Sequence, residues 1–175
     1  MPREKYVEDR FYKGMKFEEF FEDLLRELND VKVVKRTDVS SKPHKHEEIK
    51  YVPPTPNFMI YLKEITEPII AWVTHKNMTR HQWYEKRRFY IADMYWRFKT
   101  RKFMEPHHYM VYGILEEGTP FEILWCKVGD TEFRGTWRRP NDPDQDDLRA
   151  RINMSASRVI FKDGKTTIDK LSSVL

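Results

Sequence analysis

Apolar side chains recur every three or four residues from Lys16 to Asn29, the spacing that aligns them along one face of a helix. The stripe comprises Phe17, Phe20, Phe21, Leu24, Leu25 and Leu28. Asn29 and Asp30 favour turns and predict the end of this helix. The β-branched run VKVV at 31–34 then predicts a short strand.

Four further runs predict strands in the middle of the chain. The sequence NFMIYLK at 57–63 alternates, whereas IIAWVT at 69–74 is continuously apolar, as in a strand covered on both faces. The short ITEP turn between them predicts an antiparallel hairpin. The runs YMVYGIL at 109–115 and FEILWCK at 121–127 predict two more strands, joined across EEGTP.

Two polar stretches interrupt this pattern. Residues 37–56 are rich in Ser, Pro and charge, and they predict a long connection. The sequence RRPNDPDQDD at 138–147 predicts a Pro/Asp loop. We expect a helix from Leu148, capped by Asp146 and Asp147, because carboxylates are favoured where a helix exposes its first amides.

The predicted order is helix, three strands, helix and two strands, followed by a C-terminal hairpin that turns at Asp163-Gly164. This order predicts an α/β or α+β fold, in which helices flank a mixed β-sheet. We expect an N-terminal arm at 1–13 and a core at 14–137. A C-terminal extension at 138–175 would pack on that core.

Positive charge is concentrated between Arg80 and Phe103, which we predict to be one long helix ended by Pro106. This segment contains eight cations and two acids, Glu85 and Asp93, so its net charge is +6, against +4 for the whole chain. The cations are Arg80, Lys86, Arg87, Arg88, Arg97, Lys99, Arg101 and Lys102. Such a local excess is typical of a surface that binds a polyanion, and a solvated basic helix face is the alternative.

The overall composition narrows the class of protein. A chain of 175 residues that is 39% hydrophobic, 34% charged and 14% aromatic predicts one folded, highly charged domain. The single Cys126 excludes an intrachain disulfide and a multi-cysteine zinc site, as expected in a reducing compartment. No apolar run approaches the roughly 20 residues of a membrane helix, so we expect a cytoplasmic protein with no membrane partner.

Short sequence motifs occur on several of the predicted helices and strands. The predicted first helix carries Gly14, Phe17 and Glu18, and the second strand opens with Pro56-Asn57-Phe58. The third strand ends with Thr74-His75-Lys76, and the next helix carries Gln82 and Tyr90. This layout, over about 14–115, resembles the PD-(D/E)xK nuclease superfamily, which has the restriction-endonuclease-like fold.

The resemblance implies a metal-dependent nuclease acting on DNA, or on RNA as the alternative. In this family two strand acids and a helix glutamate hold Mg²⁺ or Mn²⁺, and a lysine two residues after the second acid acts on the attacking water. By position, the implied catalytic residues are Glu18, Asn57, Thr74, Lys76 and Gln82. The implied metal ligands are Glu18 and Asn57.

Two of these positions depart from the family pattern. Asn57 and Thr74 stand where the family has acids, and neither supplies the carboxylate that Mg²⁺ prefers. The acids Glu47, Glu48, Glu64 and Glu67 do not fall at the expected spacing. Three hypotheses remain open: an active nuclease, an inactive nuclease fold that binds nucleic acid or serves in an assembly, and a structural module that binds a protein. A homodimer or a partner chain that completes the site is compatible with all three.

Nucleic-acid contacts are predicted at several cations. Lys/Arg side chains neutralise phosphates, and exposed aromatic side chains can stack on unpaired bases. The residues expected to contact nucleic acid are Lys76, Arg80, Lys86, Arg87, Arg88 and Arg101. A second, smaller group comprises Arg134, Arg138 and Arg139 around Trp137.

Other chemistry has less support in the sequence. The stretch SKPHKHEE offers imidazoles and carboxylates for Zn²⁺ or Mn²⁺ at His44, His46, Glu47 and Glu48, and a third imidazole would have to come from His107 or His108. An exposed polar loop is the alternative. Cys126 lies in an apolar strand and is expected to be inert.

Overall fold

A computed structural model of the chain describes residues 16–36, 58–87, 90–91, 107–130, 132–139, 142–151 and 154–175. For 90–91, 132–139 and 142–151 it describes the backbone. The first helix, α1, covers 16–27. In chain order there follow β1 (Val31–Arg36), β2 (Phe58–Leu62), β3 (Ile69–Asn77), α2 (Arg80–Lys86), β4 (Tyr90–Ile91), β5 (His108–Glu116), β6 (Thr119–Lys127), β7 (Glu132–Arg139), β8 (Asp142–Arg151), β9 (Arg158–Lys162) and β10 (Lys165–Thr166). Short 3₁₀ helices lie at Val128–Asp130 and Leu171–Val174.

The main sheet has seven strands in the order β1-β2-β3-β5-β6-β9-β10. The β3–β5 pair is parallel, and every other neighbouring pair in this sheet is antiparallel. Because a parallel pair needs a crossover, the chain passes through α2 between β3 and β5. A smaller antiparallel sheet has the order β4-β8-β7. The fold is therefore α+β, with a mixed sheet, as the sequence predicted.

One face of the main sheet is covered by α1. The predicted stripe is buried at Phe17, Phe21, Leu24, Leu25 and Leu28, and Phe20 packs against the same core. A Cβ built on Gly113 in β5 would lie 2.1 Å from Cζ of Phe17. The Phe17 ring therefore rests directly on the β5 backbone, and a glycine is required beneath it. We call this side of the sheet the α1 face.

The opposite face carries a second buried cluster around the fully buried Trp83 of α2. Its other members are Trp72, Met110, Tyr112, Ile114, Phe121, Leu124, Cys126 and Val128. Alternation along β5 explains the division, because Tyr112 and Ile114 point to this side while Val111 belongs to the first cluster. We call this side the α2 face.

Most of the predicted elements are confirmed. The first helix, the strand after it, the β2–β3 hairpin and the β5–β6 pair occur where the sequence indicated. Asp163 and Gly164 have positive φ angles of 48° and 85° between β9 and β10, as a tight hairpin turn requires. Both strands of this hairpin belong to the seven-stranded sheet. The proposed domain boundaries stay a prediction.

The prediction of one long basic helix from Arg80 is wrong. The helix α2 ends after seven residues at Arg87, which has the left-handed φ of 48° and donates its backbone N–H to the Trp83 carbonyl. A left-handed residue ends a helix, and the chain enters β4 at Tyr90–Ile91. Contacts of Trp83 and Arg87 with Glu122 in β6 override the helical periodicity of this segment. Residues 92–106, including Arg101 and Pro106, lie outside the described part of the chain.

The predicted C-terminal helix from Leu148 is also wrong. Leu148 lies in β8 opposite Thr136, so Asp146 and Asp147 lie in a strand and do not cap a helix. Most of the predicted Pro/Asp loop at 138–147 likewise belongs to β7 and β8. These strands are rich in charge and carry no apolar alternation, so the sequence pattern did not indicate strands here. They form because each strand satisfies the backbone hydrogen-bonding groups of the other. No helix in the described residues is long and apolar enough to cross a membrane.

Candidate nucleic-acid interface

The start of α2 is fixed by a capping box. The Gln82 backbone N–H donates to Oγ1 of Thr79 at 3.1 Å, and the Thr79 backbone N–H donates to Oε1 of Gln82 at 3.1 Å. These bonds satisfy two amides that a helix start leaves unpaired. Gln82, a predicted catalytic residue, is exposed, and its side-chain oxygen is engaged in capping the helix.

A buried carboxylate holds α2 on the sheet. Glu122 in β6 is only 1% exposed, and its Oε2 accepts hydrogen bonds from Nε1 of Trp83 and, at 2.9 Å, from Nη1 of Arg87. Its Oε1 has no hydrogen-bond partner among the described residues. Because an uncompensated buried charge costs several kcal/mol, Arg87 is committed to neutralising Glu122.

Arg80 anchors the other end of α2. Its guanidinium pairs with Asp163 in the β9–β10 turn and lies 5.0 Å from the ring centroid of Phe121. Its backbone N–H donates to Oε2 of Glu116 at 2.7 Å. Both predicted phosphate-binding arginines of α2 thus bind acids of the protein itself.

The strand register places two lysines on either side of α2. Lys76 is opposite Ile114, Ile114 is opposite Glu122, and Glu122 is opposite Lys162. Directly opposed residues point to the same face of a sheet, so this row lies on the α2 face, with Glu122 beneath Trp83. Three strand spacings of about 4.8 Å separate Lys76 from Lys162, or about 14 Å in all.

Four lysines lie on α2 or on the strands beside it, and we call them the α2 lysines: Lys76, Lys86, Lys162 and Lys165. All four are exposed, and Lys165 lies opposite Lys162 in the β9–β10 hairpin. None of them forms an ion pair with an acid in the part of the chain that the structure describes. Their ammonium groups are therefore available to an external anion.

An aromatic ring lies among these cations. Tyr84 is 37% exposed, and its ring centroid lies 4.8 Å from the guanidinium carbon of Arg87 and 5.6 Å from Nζ of Lys162. Partial burial and the negative charges of Glu122 and Asp163 raise the pKa of Tyr84, outweighing the nearby arginines. The phenol therefore stays neutral at physiological pH.

The predicted nuclease residues are divided between the two faces. On the α1 face, Oε2 of Glu18 accepts a hydrogen bond from Nη2 of Arg36 at 2.7 Å, and both side chains are about 15% exposed. Thr74 and Lys76 lie opposite Tyr112 and Ile114, which belong to the α2-face cluster. The structure therefore brings Thr74 and Lys76 to one face and places Glu18 on the other.

Several predicted residues fall outside the described part of the chain. These are Asn57, Arg88 and Arg101, and the possible metal ligands His44, His46, Glu47 and Glu48. Of the second basic group, Arg134, Trp137, Arg138 and Arg139 lie in β7, where Arg138 is opposite Asp146. The structure describes only the backbone there.

The remaining candidates for chemistry have partners within the protein. His107 pairs with Glu67 at 2.5 Å, and Nδ1 of His108 accepts a hydrogen bond from Nε1 of Trp72 at 2.9 Å. Burial raises the pKa of Cys126 to about 11, so its reactive thiolate is scarce at neutral pH. Among the described residues, no group of three His, Cys, Asp or Glu side chains is placed to hold a metal ion.

Sequence reasoning missed Glu122 and Lys162. Glu122 is the one acid in the apolar run FEILWCK, and a charge in a buried strand indicates a buried partner. Lys162 precedes the Asp163-Gly164 turn, and only the strand register shows that it faces α2.

Comparison with known proteins assigns no family to this chain. No protein-family model matches it, and a search of curated proteins finds no match. The resemblance to the PD-(D/E)xK superfamily therefore stays a prediction.

Proposed function

We propose that this protein binds nucleic acid through its α2 face. The observation that carries the proposal is the set of α2 lysines, four exposed cations around one short helix with no acid partner among the described residues. Lysines that neutralise phosphates release condensed counterions, which supplies much of the affinity for nucleic acid.

The arginines and the lysines of this face have different roles in the proposal. Moving Arg87 onto a phosphate would leave Glu122 buried without a counter-charge. Arg80 is likewise held between Asp163 and Glu116. The arginines therefore hold α2 on the sheet, and the lysines contact the ligand.

The separation of the lysines favours an extended ligand. The backbones at Lys76 and Lys162 are about 14 Å apart across the sheet, with Glu122 and the Trp83 side chain between them, so an anion longer than one phosphate fits the two side chains better. A polymer that presents successive phosphates satisfies both at once. This supports a nucleic acid over a single small anion.

The order of elements is compatible with the nuclease resemblance. The helix α1, the strands β1 to β3, the helix α2 and the strand β5 match part of the order that the resemblance implies, and the strand β4 comes between α2 and β5. This agreement supports a phosphodiester polymer, DNA or RNA, as the ligand, and it does not establish the family.

Hydrolysis is the second candidate, favoured by Lys76, which is exposed at the end of β3 on the same face as Thr74. It would require Mg²⁺ or Mn²⁺ held by carboxylates other than Glu18, because Glu18 pairs with Arg36 on the α1 face. We therefore propose that the protein binds nucleic acid and that Glu18 and Lys76 do not form a catalytic pair that cleaves it.

Fluorescence anisotropy with labelled oligonucleotides tests the binding proposal. We expect replacement of the four α2 lysines by Gln to weaken binding strongly. A matched control replaces Lys16, Lys32, Lys63 and Lys170, which are also exposed, by Gln. We expect the control to keep most of the affinity, although the net charge of both variants changes equally. Equal losses in the two variants would contradict the α2 face as the binding surface.

A cleavage assay separates the two candidates. Labelled single-stranded, duplex and branched DNA is incubated with Mg²⁺ or Mn²⁺, with Glu18→Gln and Lys76→Ala as comparison variants. We expect binding without metal-dependent cutting. Cutting that both variants abolish would establish the nuclease instead, and absence of both binding and cutting would favour a module that binds a protein.

A further inference from the structure

Tyr84 is the only Phe, Tyr or Trp that is exposed among the residues whose side chains the structure describes. The other aromatic side chains of this part are buried, or half-buried as Phe20 and Tyr61 are. Of the two aromatic side chains of α2, Trp83 thus lies in the core and Tyr84 lies on the surface. An exposed aromatic ring beside cations is a common feature of sites that bind unpaired bases.

The position of the Tyr84 ring is fixed by its neighbours. Trp83 is fully buried and donates a hydrogen bond to the buried Glu122, which prevents α2 from rotating about its axis. The Tyr84 ring also lies 6.3 Å from the Phe121 ring at an interplanar angle of 52°. A ring held in this way loses little freedom when a ligand stacks on it.

The cations around the ring have complementary uses. The Arg87 guanidinium is planar, lies over the Tyr84 ring at 4.8 Å from its centroid and is held there by Glu122, so it supports one face of the ring without contacting phosphate. Lys162 lies 5.6 Å from the same centroid on the β9 side, and Lys86 is exposed on α2 itself. Lys162 therefore places an ammonium group beside the one exposed ring.

We infer that the α2 face selects single-stranded nucleic acid, with an unpaired base stacked on Tyr84 and a flanking phosphate bound by Lys162. The inference rests on the proposed function and narrows its ligand. In a duplex the bases are already stacked and paired, so the ring could contribute only after unpairing. A single strand presents the base and the phosphates together.

The phenol oxygen is not required for stacking. The contribution comes from the ring face, and the hydroxyl of Tyr84 forms no part of the stacked surface. We therefore expect Tyr84→Phe to retain binding, whereas Tyr84→Leu keeps an apolar side chain of moderate size but removes the ring. The pair of variants separates stacking from hydrogen bonding and from general packing.

Anisotropy titrations with a labelled poly-thymidine strand and a duplex of equal length test the inference. We expect Tyr84→Leu to weaken single-strand binding by about tenfold or more and duplex binding by less than about twofold. Tyr84→Phe should remain within about twofold on both ligands. The matched control is Tyr61→Leu, because Tyr61 is a half-buried surface ring 5.3 Å from Nζ of Lys35 on another part of the sheet. Thermal unfolding of each variant checks that the fold is retained.

The outcomes separate this inference from the proposed function. If binding is salt-sensitive but Tyr84→Leu does not change the preference for single strand over duplex, the inference is overturned. The proposed function then still stands. Equal losses on the two ligands would overturn it as well. Failure of the unaltered protein to bind either ligand would overturn both.

Discussion

The two faces of the main sheet differ in how they use polar groups. On the α1 face, α1 buries an uninterrupted apolar stripe, and the Glu18–Arg36 pair lies at the strand β1, at one edge of the sheet. On the α2 face, a shorter helix covers a buried carboxylate, and exposed cations surround it. The α1 face is thus built mainly for stability. The α2 face includes groups that are costly to bury, which is expected where a surface has a binding role.

The difference lies in the length and the anchoring of the two helices. The helix α1 covers 16–27 and is held by Phe17, Phe21 and the leucines of its stripe. The helix α2 has seven residues, of which one, Trp83, is buried. A helix this short is marginal on its own, so its place depends on specific contacts with Glu122, Glu116 and Asp163.

The largest expected effect is at the polar anchor of the α2 face. Arg87→Met leaves the Glu122 carboxylate buried without a counter-charge, and we expect the free energy of unfolding to fall by about 3–5 kcal/mol. Denaturant titration measures the change. Adding Glu122→Gln to the same chain removes the charge while keeping an acceptor for Trp83, so it should restore most of the loss. A double variant as unstable as Arg87→Met would contradict this role of the charge.

A smaller effect is expected on the α1 face at Gly113. A Cβ in Gly113→Ala would lie 2.1 Å from Cζ of Phe17, so the ring and α1 must shift. We expect a loss of about 1–3 kcal/mol from overpacking. Combining it with Phe17→Leu makes room for the methyl group, and the two losses should then be less than additive. Full additivity would show that Phe17 and Gly113 are not in contact.

The ion pair of the α1 face should matter less. Glu18→Gln keeps the shape of the side chain and removes the charge that Arg36 contacts, and we expect a loss of about 1 kcal/mol. We expect no change in affinity for nucleic acid, measured by anisotropy beside the α2-lysine variant. A large loss of affinity would show that both faces contribute to one site.

The smallest effect is a pH dependence at Asp30, which connects the end of α1 to the C-terminal 3₁₀ helix. Partial burial raises the pKa of Asp30, but hydrogen bonds from the backbone N–H groups of Ser172 and Leu171 outweigh it and leave the pKa below its ordinary value. A lowered pKa adds stability above the unfolded pKa, which is lost as the pH falls through the folded pKa.

Asp30→Asn should therefore reduce stability at neutral pH and have less effect once the pH has fallen through the lowered pKa of Asp30. Urea titrations at neutral and acidic pH measure this difference. A loss that is the same at every pH would indicate that the carboxylate charge is not what holds Leu171 and Ser172.

Elements with clear apolar periodicity were predictable from the sequence. The stripe of α1 and the runs of β3, β5 and β6 have one dominant period each, and the Asp163-Gly164 turn has residues that accept positive φ. The end of α2 was not predictable, because the segment after Lys86 keeps helical periodicity. What ends the helix at Arg87 is a long-range contact with Glu122, which local pattern does not contain.

The candidate site was predictable only in part. The sequence indicated a basic surface near α2 and named Lys76 and Lys86 among its cations. It could not show that Arg80 and Arg87 are engaged by acids 35 and more residues away, or that Lys162 joins the surface through the strand register. Chain order predicted that Glu18 and Lys76 share one site. In the structure α1 carries Glu18 over one face of the sheet, whereas Lys76 points to the other face.

The central claim is that the α2 lysines bind the phosphates of a nucleic acid. The most direct measurement is the slope of log affinity against log salt for a labelled single strand, in the unaltered protein and the α2-lysine variant. Each lost phosphate contact should reduce the slope by about 0.7, so we predict a reduction of about 2 to 3, and no reduction in the variant altered at Lys16, Lys32, Lys63 and Lys170. Equal slopes in all three proteins would contradict the account.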